Sequence, residues 1–302
     1  MDLLRISATS HGINYLPEYL ASRTGMFARR ALAVESVARD PWTGTLEDLE
    51  AGRADLVLGG IWVPAMYAGR GRALVAVGQL NNRFGKSIVT RRPVAGFDWA
   101  WLEGRTVLAP GAGGTAPYEY TAGVMRQAGA DPSRTTFVRD LSGEMLGELF
   151  AGGLGDALIA DALTATRMTL AGTGHIAHTV GADVVMPNSV YYTYRDRLDD
   201  VHDRAVALMA GVQEAMDALV AGADPGEVIA AEWPDGDSDA LGQTAARLAA
   251  DGTWSGTRIE AAGLERWLAI LRDAGLVTTD TGHADLVDAS VVEAAMAAEA
   301  SR

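Results

Sequence analysis

The sequence predicts an α/β protein of two lobes with a helical C-terminal region that packs on the first lobe. Short apolar strands alternate with amphipathic helices from residue 3 to residue 160, a pattern typical of sheets with crossover helices. The succession of a short helix, Ala-Gly, Asp and an apolar strand occurs twice, at 49–58 and 149–160. Beyond residue 200 the pattern is helical. The repeated plan favours two similar lobes.

The first lobe is predicted to begin at once with a strand, a polar loop and a helix. Leu-Leu-Arg-Ile-Ser-Ala is apolar enough for a buried strand, and 16–27 has helical spacing up to Gly25. The next elements follow from the same patterns, and glycine ends the helix at 46–51 and the strand at 54–58. Strands are predicted at 3–8, 33–37, 54–58 and 73–78, and helices at 16–27, 46–51 and 64–68.

The second lobe repeats this alternation, and the helical region follows it. The run 110–116, Pro-Gly-Ala-Gly-Gly-Thr-Ala, separates a strand from a helix. Two further strands, at 87–89 and 190–194, are predicted to be the crossings between lobes. We therefore expect lobe 1 at 1–87 and 193–302 and lobe 2 at 88–192, with a ligand cleft between them. Second-lobe strands are predicted at 104–109, 136–138 and 156–160, helices at 118–128 and 145–151, and tail helices at 201–221, 225–232, 238–250 and 258–274.

Composition excludes several classes of function. The net charge of -14 leaves no basic stripe for nucleic acid. Cysteine is absent, which removes thiolate metal sites and cysteine nucleophiles, and no cofactor or metal site is indicated. No apolar run is long enough for a membrane span. The predicted strand starts within about three residues of Met1, with no export signal before it, so we expect a cytoplasmic protein.

Several motifs, in order, resemble the sulfonate/nitrate/taurine-type solute-binding proteins and the thiamine-pyrimidine synthase-like proteins. They are Asn-Tyr-Leu-Pro-Glu-Tyr-Leu-Ala at 14–21, Gly-Met-Phe at 25–27, and the segments 49–55, 102–107, 150–157 and 285–290. The resemblance implies the type II periplasmic-binding-protein fold, with two α/β lobes that close on a ligand.

The resemblance extends to enzymes of the same fold. The pyrimidine synthases carry a Lys and a His where this chain has Gly-Gly-Ile-Trp-Val at 59–63, so their chemistry is not expected. The aromatic sulfinate desulfinase is more similar around 59–64 and 70–72, although its nucleophilic cysteine would fall near Thr9. Chorismate dehydratase shares an Asn-x-x-Pro entry like 14–17.

The loop after the first strand supplies the candidate catalytic residues Thr9, Ser10 and His11, with Asn14 as a ligand contact. Ligands of open α/β sheets bind at the carboxyl ends of strands. The imidazole of His11 could serve as a general acid or base near neutral pH. Two plainer interpretations stay open: Ser10 or Asn14 caps the following helix, and His11 is a surface or packed side chain.

Two glycine-rich turns add ligand contacts. After a buried strand, Gly60 would admit a ligand close to the backbone and Trp62 would form an aromatic wall; the alternative is a tight turn with a core tryptophan. Gly113, Gly114 and Thr115 precede a helix and resemble an anion-binding nest, or else form a plain turn. The remaining predicted ligand contacts lie at strand ends and crossings: Asn81, Arg83, Asp161, Asn188, Tyr191 and Tyr192.

These residues lead to two functional hypotheses with a small-molecule ligand. The first is a cytoplasmic enzyme acting on a small organic, plausibly aromatic, carboxylate, sulfonate or sulfinate by lyase-type or desulfination chemistry. Lobe closure would bring His11 and Thr9 or Ser10 against the substrate. The alternative is the solute-binding protein of an ABC importer for a small organic anion or a pyrimidine-like ligand, with its signal sequence removed and a permease as partner.

Overall fold

The computed structural model describes residues 1–111, 116–181 and 184–300. These residues form two mixed β-sheets with surrounding helices. The strands are β1 Asp2–Ala8, β2 Leu32–Ala38, β3 Leu56–Gly60, β4 Leu74–Gln79, β5 Lys86–Thr90, β6 Thr106–Leu108, β7 Thr136–Val138, β8 Ala157–Asp161, β9 His175–Val180 and β10 Ser189–Tyr194. The helices are α1 Leu16–Arg23, α2 Gly44–Glu50, α3 Trp62–Tyr67, α4 Ala116–Gln127, α5 Gly143–Ala151, α6 Ala162–Leu170, α7 Leu198–Val220, α8 Gly226–Glu232, α9 Ser238–Ala250, α10 Ala261–Asp273, α11 His283–Leu286 and α12 Ser290–Ala300.

The chain divides into two compact units. Unit 1 comprises Met1–Arg83, Val184–Leu268 and Val277–Arg302, and unit 2 comprises Phe84–Asp183 and Ala269–Leu276. The predicted α/β architecture with a helical C-terminal region is confirmed.

Unit 1 is built on a sheet of order β2-β1-β3-β10-β4. Strands β1, β2 and β3 are parallel, as the strand–helix alternation predicts. Strand β10 lies antiparallel between β3 and β4, so the sheet is mixed and not wholly parallel. Strand β10 follows β4 by about 110 residues in sequence, and antiparallel pairing does not need the crossover helix that joins successive parallel strands.

Helices cover both faces of the unit 1 sheet. On one face, a side chain at Gly78 of β4 would collide with Met209 of α7 and press on Val292 of α12, so the helical region packs directly on the strand. Helix α1 lies on the same face, where Tyr191 of β10 bonds to Glu18. On the opposite face, the Ser7 hydroxyl of β1 reaches Asp48 of α2.

Unit 2 has the sheet order β7-β6-β8-β5-β9. Strands β6, β7 and β8 are parallel, whereas β5 is antiparallel to both β8 and β9. Its core is packed from β5, β6, β8 and helices α5 and α6. The core residues are Val89, Leu108, Leu146, Phe150, Leu158, Ala160, Ala165 and Met168.

Helix boundaries differ from prediction where glycine intervenes. The helix predicted at 16–27 ends at Arg23, because Gly25 takes a φ of +76° and a glycine in the left-handed region terminates a helix. A short 3-10 turn follows at Ala28–Arg30. Within the residues that the structure describes, none of the helices combines the length and apolar character that a membrane crossing requires.

Candidate functional site

Hydroxyl groups gather at the carboxyl ends of β1 and β3 in unit 1. Thr9 follows β1 directly, and its backbone N–H donates to the carbonyl of Leu58 in β3. Its side-chain oxygen lies 3.2 Å from the hydroxyl of Tyr15. A Cβ at Gly59 would lie 2.9 Å from the Thr9 methyl group and 3.3 Å from the Tyr192 hydroxyl. Glycine is therefore what lets these side chains meet at the strand ends.

An indole ring lies over the next glycine. A Cβ at Gly60 would fall 2.2 Å from the ring of Trp62, at the start of α3. Trp62 also contacts the fully buried Trp267, with ring centroids 5.1 Å apart. The Trp267 ring N–H donates to the carbonyl of Pro187 at 2.6 Å, which fixes its orientation. The half-buried Trp62 thus presents an aromatic surface beside the end of β3.

Asparagine side chains join the first loop to the strand ends. The Asn81 amide donates to the carbonyl of Asn14 at 2.8 Å, and the Asn14 amide lies 3.4 Å from the Asn81 side-chain oxygen. The buried Trp254 ring N–H also donates to the Asn14 carbonyl. Asn188 donates its backbone N–H to Asn81 and accepts from the backbone of Ile61. Asn14, Asn81 and Asn188 therefore come together, as residues of one strand-end region should.

The helix-capping interpretation of this loop is not borne out. Helix α1 has Tyr15 at its N-cap position, and within the described residues no side chain caps it. Ser10 is exposed to solvent and Asn14 is half-buried. Both side chains are thus left for other roles.

His11 points toward helix α8. Its Nε2 lies 3.0 Å from a carboxylate oxygen of Glu232, the last residue of that helix. Its ring contacts those of Tyr19 and Trp233, each at a centroid distance of 4.9 Å. Glu232 also accepts from Arg23 of α1. The imidazole is thus part of a side-chain cluster at the edge of the loop, and 40% of it is exposed.

The two predicted tyrosines of β10 are fully buried and point to opposite faces of the sheet. The Tyr191 hydroxyl donates to Glu18 at 2.6 Å. Burial raises the pKa of the Glu18 carboxyl above its ordinary value, although the bond from Tyr191 opposes that change. Burial likewise raises the pKa of Tyr192 above the usual range, so its hydroxyl stays neutral.

The buried carboxylate of Asp48 links the end of β1 to helix α2, just before the first loop. Asp48 of α2 accepts hydrogen bonds from the Ser7 hydroxyl and from the guanidinium groups of Arg39 and Arg53. Burial alone would raise the pKa of Asp48, but these donors outweigh it and hold the pKa below its ordinary value. The Arg39 backbone N–H donates to the carbonyl of Ala8 at 2.9 Å. The end of β1 is therefore anchored just before Thr9.

The side chain of Arg83, the last unit 1 candidate, bonds to the backbone of its own segment. Its guanidinium donates to the carbonyl of Asn82 at 3.0 Å and lies near Gly252. The side chain is half-buried, and its Nε has no partner among the described residues.

In unit 2, Asp161 ends β8 and caps helix α6. It accepts from the backbone N–H and the hydroxyl of Thr164 at 2.9 and 2.8 Å. Loss of hydration by itself would raise the pKa of Asp161. The positive charge of Lys86, its partner in the β5–β8 register, and the hydrogen bonds from Thr164 outweigh this effect, so the pKa lies below its ordinary value. Gly113, Gly114 and Thr115, the predicted anion-binding turn, lie outside the described residues.

Several contributors were missed by sequence reasoning. Tyr15 stands within the 14–21 motif and could have been found by its place beside Asn14. Trp254, Trp267 and Glu232 come from the distant helical region. Nothing in the local pattern around them indicates that they reach the ends of β1 and β3.

Residues 12–227 match the family described as NMT1/THI5 like. The chain belongs to the NMT1/THI5-like family. This confirms the predicted resemblance. A protein of Bacillus subtilis (strain 168) named as a binding protein, YtlA, is 26% identical over 220 residues, which are 70% of this chain and 64% of the relative. The chain thus spans just under two thirds of the length of the curated relative that it matches.

Solved structures of similar fold cover nearly the whole chain. The periplasmic aliphatic sulphonate binding protein SsuA from Escherichia coli has a TM-score of 0.72 at 19% identity, covering 93% of this chain and 90% of its own. The periplasmic nitrate-binding protein NrtA from Synechocystis PCC 6803 has a TM-score of 0.74 at 14% identity, covering 98% and 88%. At such identities the likeness shows the fold alone.

Two expectations from the sequence are wrong. The first was an enzyme with lyase-type or desulfination chemistry. The family relative is named as a binding protein, and SsuA and NrtA bind solutes, whereas the desulfurization enzyme DszB shares the fold with a TM-score of 0.66 at 14% identity. The second was a cytoplasmic location, which the periplasmic proteins of this fold overturn. The error lay in treating the polar loop as chemistry and the early strand as evidence of location.

Proposed function

We propose that this protein is the solute-binding component of an ABC importer and that it binds a small organic anion. The observation that carries the proposal is the group of hydroxyls at the carboxyl ends of β1 and β3, with the side-chain oxygens of Thr9 and Tyr15 3.2 Å apart. Neutral donors of this kind satisfy an anion through hydrogen bonds. Membership of the family and the names of similar proteins, for sulphonate and for nitrate, support the same ligand class.

The aromatic surface favours an organic anion over an inorganic one. Trp62 is half-buried beside Gly60, backed by the buried Trp267. An indole face contributes apolar contact that nitrate could not use, whereas an alkyl or aryl group could. We propose Thr9, Ser10 and Asn14 as polar contacts and Trp62 as the apolar one.

A binding screen at constant ionic strength tests this proposal. Benzenesulfonate, ethanesulfonate, biphenyl-2-sulfinate, benzoate, nitrate and a hydroxymethylpyrimidine would be compared by thermal shift and calorimetry. We expect saturable binding of an organic anion, stabilisation by about 2.7 kcal/mol at a hundredfold excess over Kd, and recovery of the ligand unchanged by mass spectrometry. Failure of every organic anion to bind would overturn the proposal.

A matched pair of variants connects binding to the strand ends. Thr9→Val removes one hydroxyl and keeps the shape of the side chain, so we expect Kd to rise about fivefold, the effect of one hydrogen bond. Thr193→Val makes the same change at a buried position of β10, where the hydroxyl has no partner among the described residues. Kd should be unchanged there. Equal effects of the two substitutions would contradict the site.

A further inference from the structure

The loop 9–14 is held at both ends and also in its middle. Thr9 bonds to Leu58 at one end, and Asn14 bonds to Asn81 at the other. Midway, His11 bonds to Glu232 across 221 residues of sequence. This contact brings the loop against α8, a helix from the C-terminal region.

The position of Glu232 is unfavourable for its own helix. It is the last residue of α8, where the helix dipole favours cations and disfavours a carboxylate. The side chain is 17% exposed, and His11 and Arg23 flank it. Since the carboxylate does not stabilise α8, its contribution lies in the contacts that it makes with the loop and with α1.

The aromatic rings give this contact a defined geometry. Tyr19 and Trp233 each contact the imidazole at a centroid distance of 4.9 Å, and their own rings are 5.6 Å apart in an edge-to-face arrangement, so the three rings form one cluster. Contact with two aromatic rings and with Glu232 restricts the orientation of the imidazole. A change in the position of the His11 ring should therefore change the conformation of the loop backbone.

We propose that Glu232 is a positioning residue that sets the loop 9–14 through His11 and so couples the affinity for the anion to pH. The coupling to affinity rests on the proposed function; the positioning of the loop does not. The ligand contacts proposed above, Thr9, Ser10 and Asn14, all lie on this loop.

The sign of the pH effect follows from the groups that face His11. These are Glu232 from α8 and Glu18, Tyr19 and Arg23 from α1. Burial alone would raise the pKa of Glu232, but its bonds from Arg23 and His11 hold it below the ordinary value, so the carboxylate stays ionised. The pKa of Tyr19 is raised by burial, which keeps that group neutral.

Glu18 and Arg23 modify this picture without reversing it. Burial raises the pKa of Glu18 and reduces its charge, and Arg23 is already paired with Glu232. A protonated imidazole is a cation, and the ionised Glu232 carboxylate attracts it. Acidification therefore strengthens the His11–Glu232 contact, orders the loop and raises affinity.

Hydrogen exchange of the loop peptide and calorimetry with benzenesulfonate test the proposal on the full chain. Benzenesulfonate is the anion of a strong acid, so its charge is constant from pH 5.5 to 8.5. After correction for intrinsic rates, we expect slower loop exchange and about threefold tighter binding at pH 5.5, the scale of a partly exposed ion pair. In Glu232→Gln both pH effects should disappear while the protein stays folded.

Two control variants separate positioning from general stability. Arg23→Gln removes the other cation from Glu232 and should retain the pH dependence, even with a lower melting temperature. His202→Gln alters a half-buried histidine of α7 that pairs with Asp203 and should change neither readout. Loop exchange with the same pH dependence in Glu232→Gln as in the unchanged protein would overturn the proposal. The protein could fail to bind benzenesulfonate while its loop exchange still depends on pH and on Glu232. That result would support the positioning role of Glu232 and count against the proposed ligand class.

Discussion

Substitution of Gly60 by alanine gives a direct test of the aromatic surface beside β3. The new Cβ would lie 2.2 Å from two ring atoms of Trp62 and 2.5 Å from a third. Ordinary contact begins near 3.4 Å, so the indole must retreat by about 1.2 Å. That movement separates Trp62 from Trp267, now 5.1 Å away between centroids.

The free energy of unfolding should fall by about 2 kcal/mol in Gly60→Ala. Overpacking of this kind costs about 1–3 kcal/mol, and the lost aromatic pair adds about 0.5–1.5 kcal/mol. The half-buried ring can swing partly into solvent, which keeps the sum near the lower end. Binding of an organic anion should weaken as well, because the ring would leave its place over the strand end.

Urea denaturation followed by circular dichroism measures this loss without depending on tryptophan emission. Gly242→Ala is the control: Gly242 lies within α9 and nothing stands within 4 Å of its Cβ position. Alanine should stabilise that helix by about 0.5–1 kcal/mol. In Gly60→Ala/Trp62→Ala the cost of the added methyl should vanish. If the effects of the two substitutions simply add, the clash with Trp62 is not the cause.

Two further substitutions probe buried polar groups of unit 1. Tyr191→Phe leaves the buried Glu18 carboxyl without its 2.6 Å donor and should lower the free energy of unfolding by about 2 kcal/mol, measured by urea denaturation at pH 7; an unchanged midpoint would refute this role. The pKa of Asp48 lies below its ordinary 3.8, so its contribution to stability is present above about pH 4 and is lost as the pH falls through the lowered value. Asp48→Asn should therefore reduce stability at pH 6 and flatten the decline between pH 5 and 3; a decline as steep as that of the unchanged protein would contradict the assignment.

Local patterns predict much of the architecture. The apolar run before Thr9 marked the end of β1 correctly, because burial is a local property of the chain. Strand β3 continues through Gly59 and Gly60, which were expected to end it. Strand β9, His175–Val180, was missed. It is an edge strand whose side chains are mostly half-buried, so it lacks the continuous apolar character by which a buried strand is recognised.

The environment of the first loop could not be predicted in the same way. His11 looked available for proton transfer because it follows the first strand, where ligands of open α/β sheets bind. In the fold its neighbours are Glu232 and Trp233, which follow more than 200 residues later. A single sequence contains no information about which distant side chain fills the space beside a loop, so the partner of His11 emerged only with the tertiary structure.

The insertion of β10 between β3 and β4 constrains how the protein is made. In the finished sheet, β4 has β10 as its strand neighbour, and about 110 residues separate Gln79 from Ser189. At about 5–20 residues per second, the ribosome needs roughly 5–20 seconds to supply that neighbour. During this interval the nascent chain can complete the β2-β1-β3 part of the sheet, while the edge of β3 and the whole of β4 await their partner. The apolar segment 74–79 is therefore without its strand partner during this interval, and an unpaired apolar strand is a site at which nascent chains can aggregate.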